Sequence, residues 1–167
     1  MGNNLLYKAS IVTTPTAYGV GVLNSIKPAQ SFGEELITNG NFATDSDWTK
    51  GSGWTISGGK ANASATTGQL YQGTTTTINT QYKIEYTISN YVSGSYNFLL
   101  RGTSTATFSG NGTFTVYITS GSGGNSNFII DGVSSFTGSI DNVSVKEMID
   151  ADFDFTRTSS ATRVNPD

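Results

Sequence analysis

Tyr82-Lys-Ile-Glu-Tyr-Thr-Ile88 and, after Ser93-Gly94-Ser95, Tyr96-Asn-Phe-Leu-Leu100 decide the fold of this chain. Tyr82, Ile84, Tyr86 and Ile88 alternate with Lys83, Glu85 and Thr87, and Tyr96, Phe98 and Leu100 repeat the pattern. A period of two sends one set of side chains to a buried face and the other to water, which is the mark of a half-buried strand. The short Gly-centred connector between the two runs predicts that they form a hairpin.

Working outward, Gly110-Asn-Gly112 is a turn signal, after which Phe114, Val116 and Ile118 alternate with Thr113, Thr115 and Tyr117 up to the Gly-Ser-Gly-Gly stretch at 121–124. Further strands are predicted at 36–42, 54–56, 69–72, 128–130 and 140–145. About eight short antiparallel strands at this spacing predict an all-β fold, a single jelly-roll β-sandwich of two facing sheets. Composition points the same way, because 20 Gly and only 13% charged residues suit strands and turns rather than helices. With 35% hydrophobic and 11% aromatic residues, 167 residues are enough to close one core.

Three segments separate by composition. Residues 1–34 are broken by Pro15, Pro28, Gly19, Gly21 and Gly33 and are expected to form an extended N-terminal arm. Residues 35–147 are the β domain. Residues 148–167 form a C-terminal tail, whose closing Asn165-Pro-Asp167 is a turn signal that leads either to a further module or to docking on a neighbour.

Charge and residue usage remove several function classes. A net charge of −3, with nine basic residues scattered along the chain, argues against a nucleic-acid partner. No stretch approaches the roughly 20 apolar residues of a membrane helix, so membrane insertion is not expected. With 0 Cys and 0 His, the chain lacks the commonest zinc ligands and the commonest general base near neutral pH. Asp45, Asp47, Glu85, Asp131, Asp141 and Glu147 remain as acids, but nothing in the sequence pairs them as glycoside hydrolysis requires. The chain is not expected to be an enzyme.

Two resemblances add to this reading. Asn39-Gly40-Asn41-Phe42, Trp48, Gly53-Trp54 and Ile140-Asp-Asn-Val-Ser-Val145 resemble the opening and closing segments of carbohydrate-binding modules of the family 4 and 9 type. That resemblance implies a jelly roll with no required cofactor. It also admits a structural calcium between the first and last strands, for which Asp141, Asn39 and Asn41 are the candidate ligands. Sugar binding needs aromatic faces for stacking and polar side chains that grip hydroxyls. The candidates are Trp48, Tyr71, Tyr91 and Tyr117, with Gln72, Asn90, Asn97 and Arg101 as polar partners, whereas Trp54 and Tyr96 read as core.

The ends of the chain, Leu5-Leu-Tyr-Lys-Ala-Ser-Ile-Val-Thr-Thr-Pro-Thr-Ala-Tyr18 and Asp154-Phe-Thr-Arg-Thr-Ser-Ser-Ala-Thr-Arg-Val164, resemble segments of structural proteins of marine tailed bacteriophages. This implies a virion protein, assembled in the host cytoplasm and displayed on the phage particle as a tail fibre, appendage or capsid decoration. Leu5, Leu6, Tyr7 and Ile11 would anchor it. The implied partners are other virion proteins, copies of itself with a trimer favoured, and a host-surface glycan. The alternative is a free carbohydrate-binding module that recognises a polysaccharide.

Overall fold

In a computed structural model that describes residues 30–149, the alternation becomes eleven strands, with no helix among the described residues. They are β1 (Ser31–Glu35), β2 (Thr49–Lys50), β3 (Trp54–Ser57), β4 (Lys60–Thr66), β5 (Gln69–Gly73) and β6 (Gln81–Ser93). β7 (Tyr96–Leu100), β8 (Thr103–Ser104), β9 (Gly112–Thr119), β10 (Asn127–Gly132) and β11 (Phe136–Ile149) follow. One sheet has the order β3-β4-β11-β6-β9, with β1 also pairing β11, and the other has the order β2-β5-β10-β7-β8. From β4 to β7, and again from β8 to β11, the chain changes sheet at every connection. This produces the jelly-roll path of an all-β sandwich.

The apolar face of every long strand points between the sheets. Tyr82, Ile84, Tyr86 and Ile88 of β6 face Tyr96, Phe98 and Leu100 of β7, and all seven are buried. The rings of Tyr86 and Phe98 meet edge-on at 4.6 Å, and Phe98 stacks on Phe128 at 5.6 Å. The hairpin expected between β6 and β7 is therefore a crossover. Both strands point their alternating faces at the same core, but from opposite sheets, and alternation specifies a buried face without specifying the hydrogen-bonded neighbour. Hairpins do form at β3–β4 through Gly58-Gly59 and at β7–β8 through Arg101-Gly102.

The strand expected at 36–42 is not one. β1 ends at Glu35, and the chain then turns, with Asn39 and Phe42 at φ 52° and 48°. The cause lies opposite, in β11, whose pairing with β6 slips between Asp141 and Ser144 around Asn142 at φ 53°. This β-bulge turns the amide of Val143 toward the opening segment, where it donates to the carbonyl of Gly40 at 2.8 Å. A Cβ on Gly40 would lie 2.0 Å from the Val143 carbonyl oxygen, so only glycine permits the approach. Glu35 secures the same junction by accepting from the Val145 amide at 2.8 Å, the Ile37 amide at 3.0 Å and the Ser144 hydroxyl at 2.5 Å.

Candidate functional site

The outward face of the five-stranded sheet carries two adjacent cross-strand rows. Register places Tyr71 of β5 beside Thr49 of β2 on one side and Ile129 of β10 on the other. The row continues through Leu99 of β7 to Ser104 of β8. Tyr71, Ile129 and Leu99 are half-buried, as expected for an apolar strip that only sheet neighbours cover. Two residues along, Asp131 of β10 stands between Gln69 of β5 and Asn97 of β7. Directly opposed side chains in antiparallel strands lie about 5 Å apart at Cβ, so each row acts as a unit.

The polar row carries unsatisfied chemistry. Gln69 hydrogen-bonds the Asp131 carboxyl, yet burial dominates and pushes the Asp131 pKa above the usual carboxylate range. Beside it, Asn97 Oδ1 is the one buried side-chain polar atom among the described residues with no hydrogen-bond partner. An orphan of this kind destabilises the folded state by about 1–3 kcal/mol unless a partner arrives. A ligand hydroxyl can be that partner, because the terminal torsion of asparagine is broad and the amide turns without backbone movement.

The outward face of the six-stranded sheet is different. Ser139 donates to Asn62 at 2.8 Å, Lys60 to Ser89 at 2.8 Å, and Lys83 pairs with Glu85 at 2.8 Å. Thr87 and Thr113 share a bond at 3.0 Å. These polar groups are partnered within the protein.

The sugar-binding candidates do not come together. Tyr71 and Asn97 alone among them lie on the five-stranded outer face, and Asn90 donates to Ser139 at 3.3 Å at the other sheet. Trp48 is buried, 5.1 Å from Phe42, and its indole N–H donates to the Asn39 carbonyl. Gln72 is buried on the inward side of β5, where its amide grips the backbone of Thr38 with two 3.0 Å bonds. Neither faces solvent. Tyr91 is half-buried, and its hydroxyl donates to the Gly94 carbonyl at 2.9 Å. Tyr117 is exposed, but on β9 of the six-stranded sheet, beside Lys83. Arg101 occupies the turn after β7. Trp54 and Tyr96 are core residues, as expected.

Around the bulge, Asn39 is folded into its own loop, donating to the carbonyls of Thr44 at 2.8 Å and Ser46 at 3.1 Å. Asn41 Oδ1 accepts from Ala43, and Asp141 Oδ1 accepts from Asn142 at 2.7 Å. The carbonyls of Asn39 and Gly40 already accept N–H groups as well. As placed, this set offers one carboxylate and mostly engaged oxygens, which does not fit the oxygen-rich cage that calcium takes. No group of three acidic residues suited to a metal occurs among the described residues. Leu5, Leu6, Tyr7, Ile11 and the 154–164 segment lie outside the described residues.

Of the residues that do converge, Tyr71 and Asn97 are sequence candidates, whereas Gln69, Leu99, Ile129 and Asp131 were legible for this role only as outward positions of separate strands. Their one shared signal was the strand alternation itself.

The sequence matches no protein-family model and no curated protein. Among solved structures it is similar to a mannan binding module from Man5C in bound conformation, at 16% identity and TM-score 0.46, over 61% of this chain and 91% of that one. It is also similar to CBM35 from Paenibacillus barcinonensis, at 14% identity and TM-score 0.42, over 71% of this chain and 98% of that one. No residue role is carried across from either.

Proposed function

We propose that this chain is a non-catalytic carbohydrate-binding module that holds a polysaccharide across the outer face of its five-stranded sheet. The observation that carries this reading is the pairing of an apolar row containing an aromatic ring with a polar row containing an orphan acceptor. A pyranose needs both, because its C–H face stacks on a ring while its equatorial hydroxyls take planar amides and carboxylates. Tyr71 supplies the ring, Ile129 and Leu99 extend the apolar floor, and Gln69, Asp131 and Asn97 grip hydroxyls. No cofactor is required, since each contact is made by a side chain of the sheet. A single carboxylate in this face gives hydrolysis no acid–base pair.

Electrophoresis through native gels containing soluble neutral polysaccharides tests the reading. The full chain should be retarded by at least one polymer, and Asp131→Ala and Asn97→Ala should each lose most of that retardation. Equal migration of all three proteins in every gel would remove the proposal.

A further inference from the structure

At the end of the sandwich where β7 turns into β8, a cleft of about 610 Å³ opens between Arg101 and the Gly121–Gly124 stretch. Arg101 and Gly102 are the two central residues of the turn that pairs Leu100 with Thr103, and both have positive φ, 47° and 80°. Asn, Asp or Gly is the usual choice at such positions, and a long side chain there is under strain. Hydrogen bonds to Thr76 hold the guanidinium. Its Nε donates to the Thr76 carbonyl at 2.8 Å and to the Thr76 hydroxyl at 3.2 Å, and Thr76 is itself buried. The two terminal nitrogens have no acceptor, and Arg101 makes no ion pair, among the described residues.

The walls are fixed. Ser120 donates its hydroxyl to the Thr77 carbonyl at 2.6 Å and accepts from the Thr80 amide at 3.1 Å, tying the 74–80 loop to the end of β9. A Cβ on Gly121 would lie 2.2 Å from the Arg101 carbonyl oxygen, so the glycine stretch packs directly on the arginine turn. Asn79, Thr103 and Ser122 add neutral hydrogen-bonding groups to the lining. No carboxylate lines the cleft among the described residues.

We infer that this cleft is a second subsite that takes an oxyanion carried on a sugar, with a uronic acid residue as the best match. With Nε held by Thr76, the terminal nitrogens present the fork that receives a planar carboxylate through two parallel bonds. Asn79, Thr103 and Ser122 then meet the ring hydroxyls. The inference rests on the sugar-binding reading only for the ligand being a sugar, since the anion chemistry belongs to Arg101 alone.

The test is a 15N NMR titration of the full chain with glucuronate, glucose 6-sulfate, glucose and acetate, reading Arg101 Nε–H and the amides of residues 121–124. Glucuronate should shift these signals most, glucose 6-sulfate and acetate less, and glucose not at all. Arg101→Gln should weaken glucuronate about tenfold or more, while Arg101→Lys retains part of the affinity. Core amide shifts in each variant report whether it folds. Glucose acting as strongly as glucuronate, acetate matching it, or Arg101→Gln binding it unchanged would overturn the inference. These signals lie away from Tyr71 and Asn97, so failure of the sheet-face site with neutral polysaccharide is read separately.

Discussion

Asp131 carries two opposite pH dependences, and together they identify it. Burial raises its pKa in the folded state, so its contribution to stability is fully present below the ordinary carboxylate pKa of about 4 and is lost as pH rises through the raised value. The stability difference between the wild type and Asp131→Asn, from urea melts at several pH values, should therefore move against the wild type across that window. Polysaccharide binding should rise over the same window, because the ionised carboxylate accepts hydroxyl hydrogen bonds better. A flat stability difference would mean that burial is not felt at Asp131. At Gly40 the relevant force is steric. Gly40→Ala puts a methyl group against the Val143 carbonyl and should destabilise the fold by about 1–3 kcal/mol, measured as a lower urea midpoint at unchanged slope.

At the scale of elements, the junction of β1 and β11 depends on Glu35, which accepts from two amides and one hydroxyl. Glu35→Ala leaves those donors, two of them amides of the buried Ile37 and Val145, unpaired and should lower stability by about 2 kcal/mol; the change is expected to exceed that of Glu85→Ala, which loses one pairing with the side chain of Lys83. Equal effects would show that the junction is held by packing alone. Alternation in the sequence read the facing of β6, β7 and β9 correctly because each has a clean period of two. It did not find β4, where Ala61, Ala63 and Ser64 are too small and too polar to declare a face. It also misplaced β7 beside β6, since a short Gly-containing connector serves a hairpin and a crossover equally well. The site rows were illegible for a related reason. Gln69, Asp131 and Asn97 become neighbours only through the pairing of β5, β10 and β7, and that pairing joins strands distant in sequence. The opening and closing motifs were visible as short sequence signatures, but their joining through the bulge at Asn142, Gly40 and Glu35 links positions about a hundred residues apart and was not.

For the molecule as a whole, the aromatic core links the two sheets and couples the fold to alkaline pH. Tyr86 and Tyr96 share a hydroxyl–hydroxyl contact at 3.4 Å in the core, and burial raises both pKa values. Their contribution to stability is complete below the ordinary tyrosine pKa of about 10 and is lost as pH climbs toward the raised values. Absorbance titration of the 8 tyrosines should show a late group that ionises only together with loss of near-UV circular dichroism. Ionisation of every tyrosine near pH 10 in a folded protein would contradict this packing.

The sandwich thus presents two outward faces with different chemistry, one with polar pairs bonded across its strands and one holding an aromatic ring beside an orphan acceptor. Tyr71 and Tyr117 are the corresponding tyrosines of those faces, on the five-stranded and six-stranded sheets respectively. The most direct test is calorimetric titration of Tyr71→Ala and Tyr117→Ala, side by side, with a polysaccharide that retards the wild type. Tyr71→Ala should weaken binding about tenfold, the loss of one stacked ring, and Tyr117→Ala should bind like the wild type. Loss of affinity in Tyr117→Ala with Tyr71→Ala unchanged would place the ligand on the other sheet and contradict the proposed site.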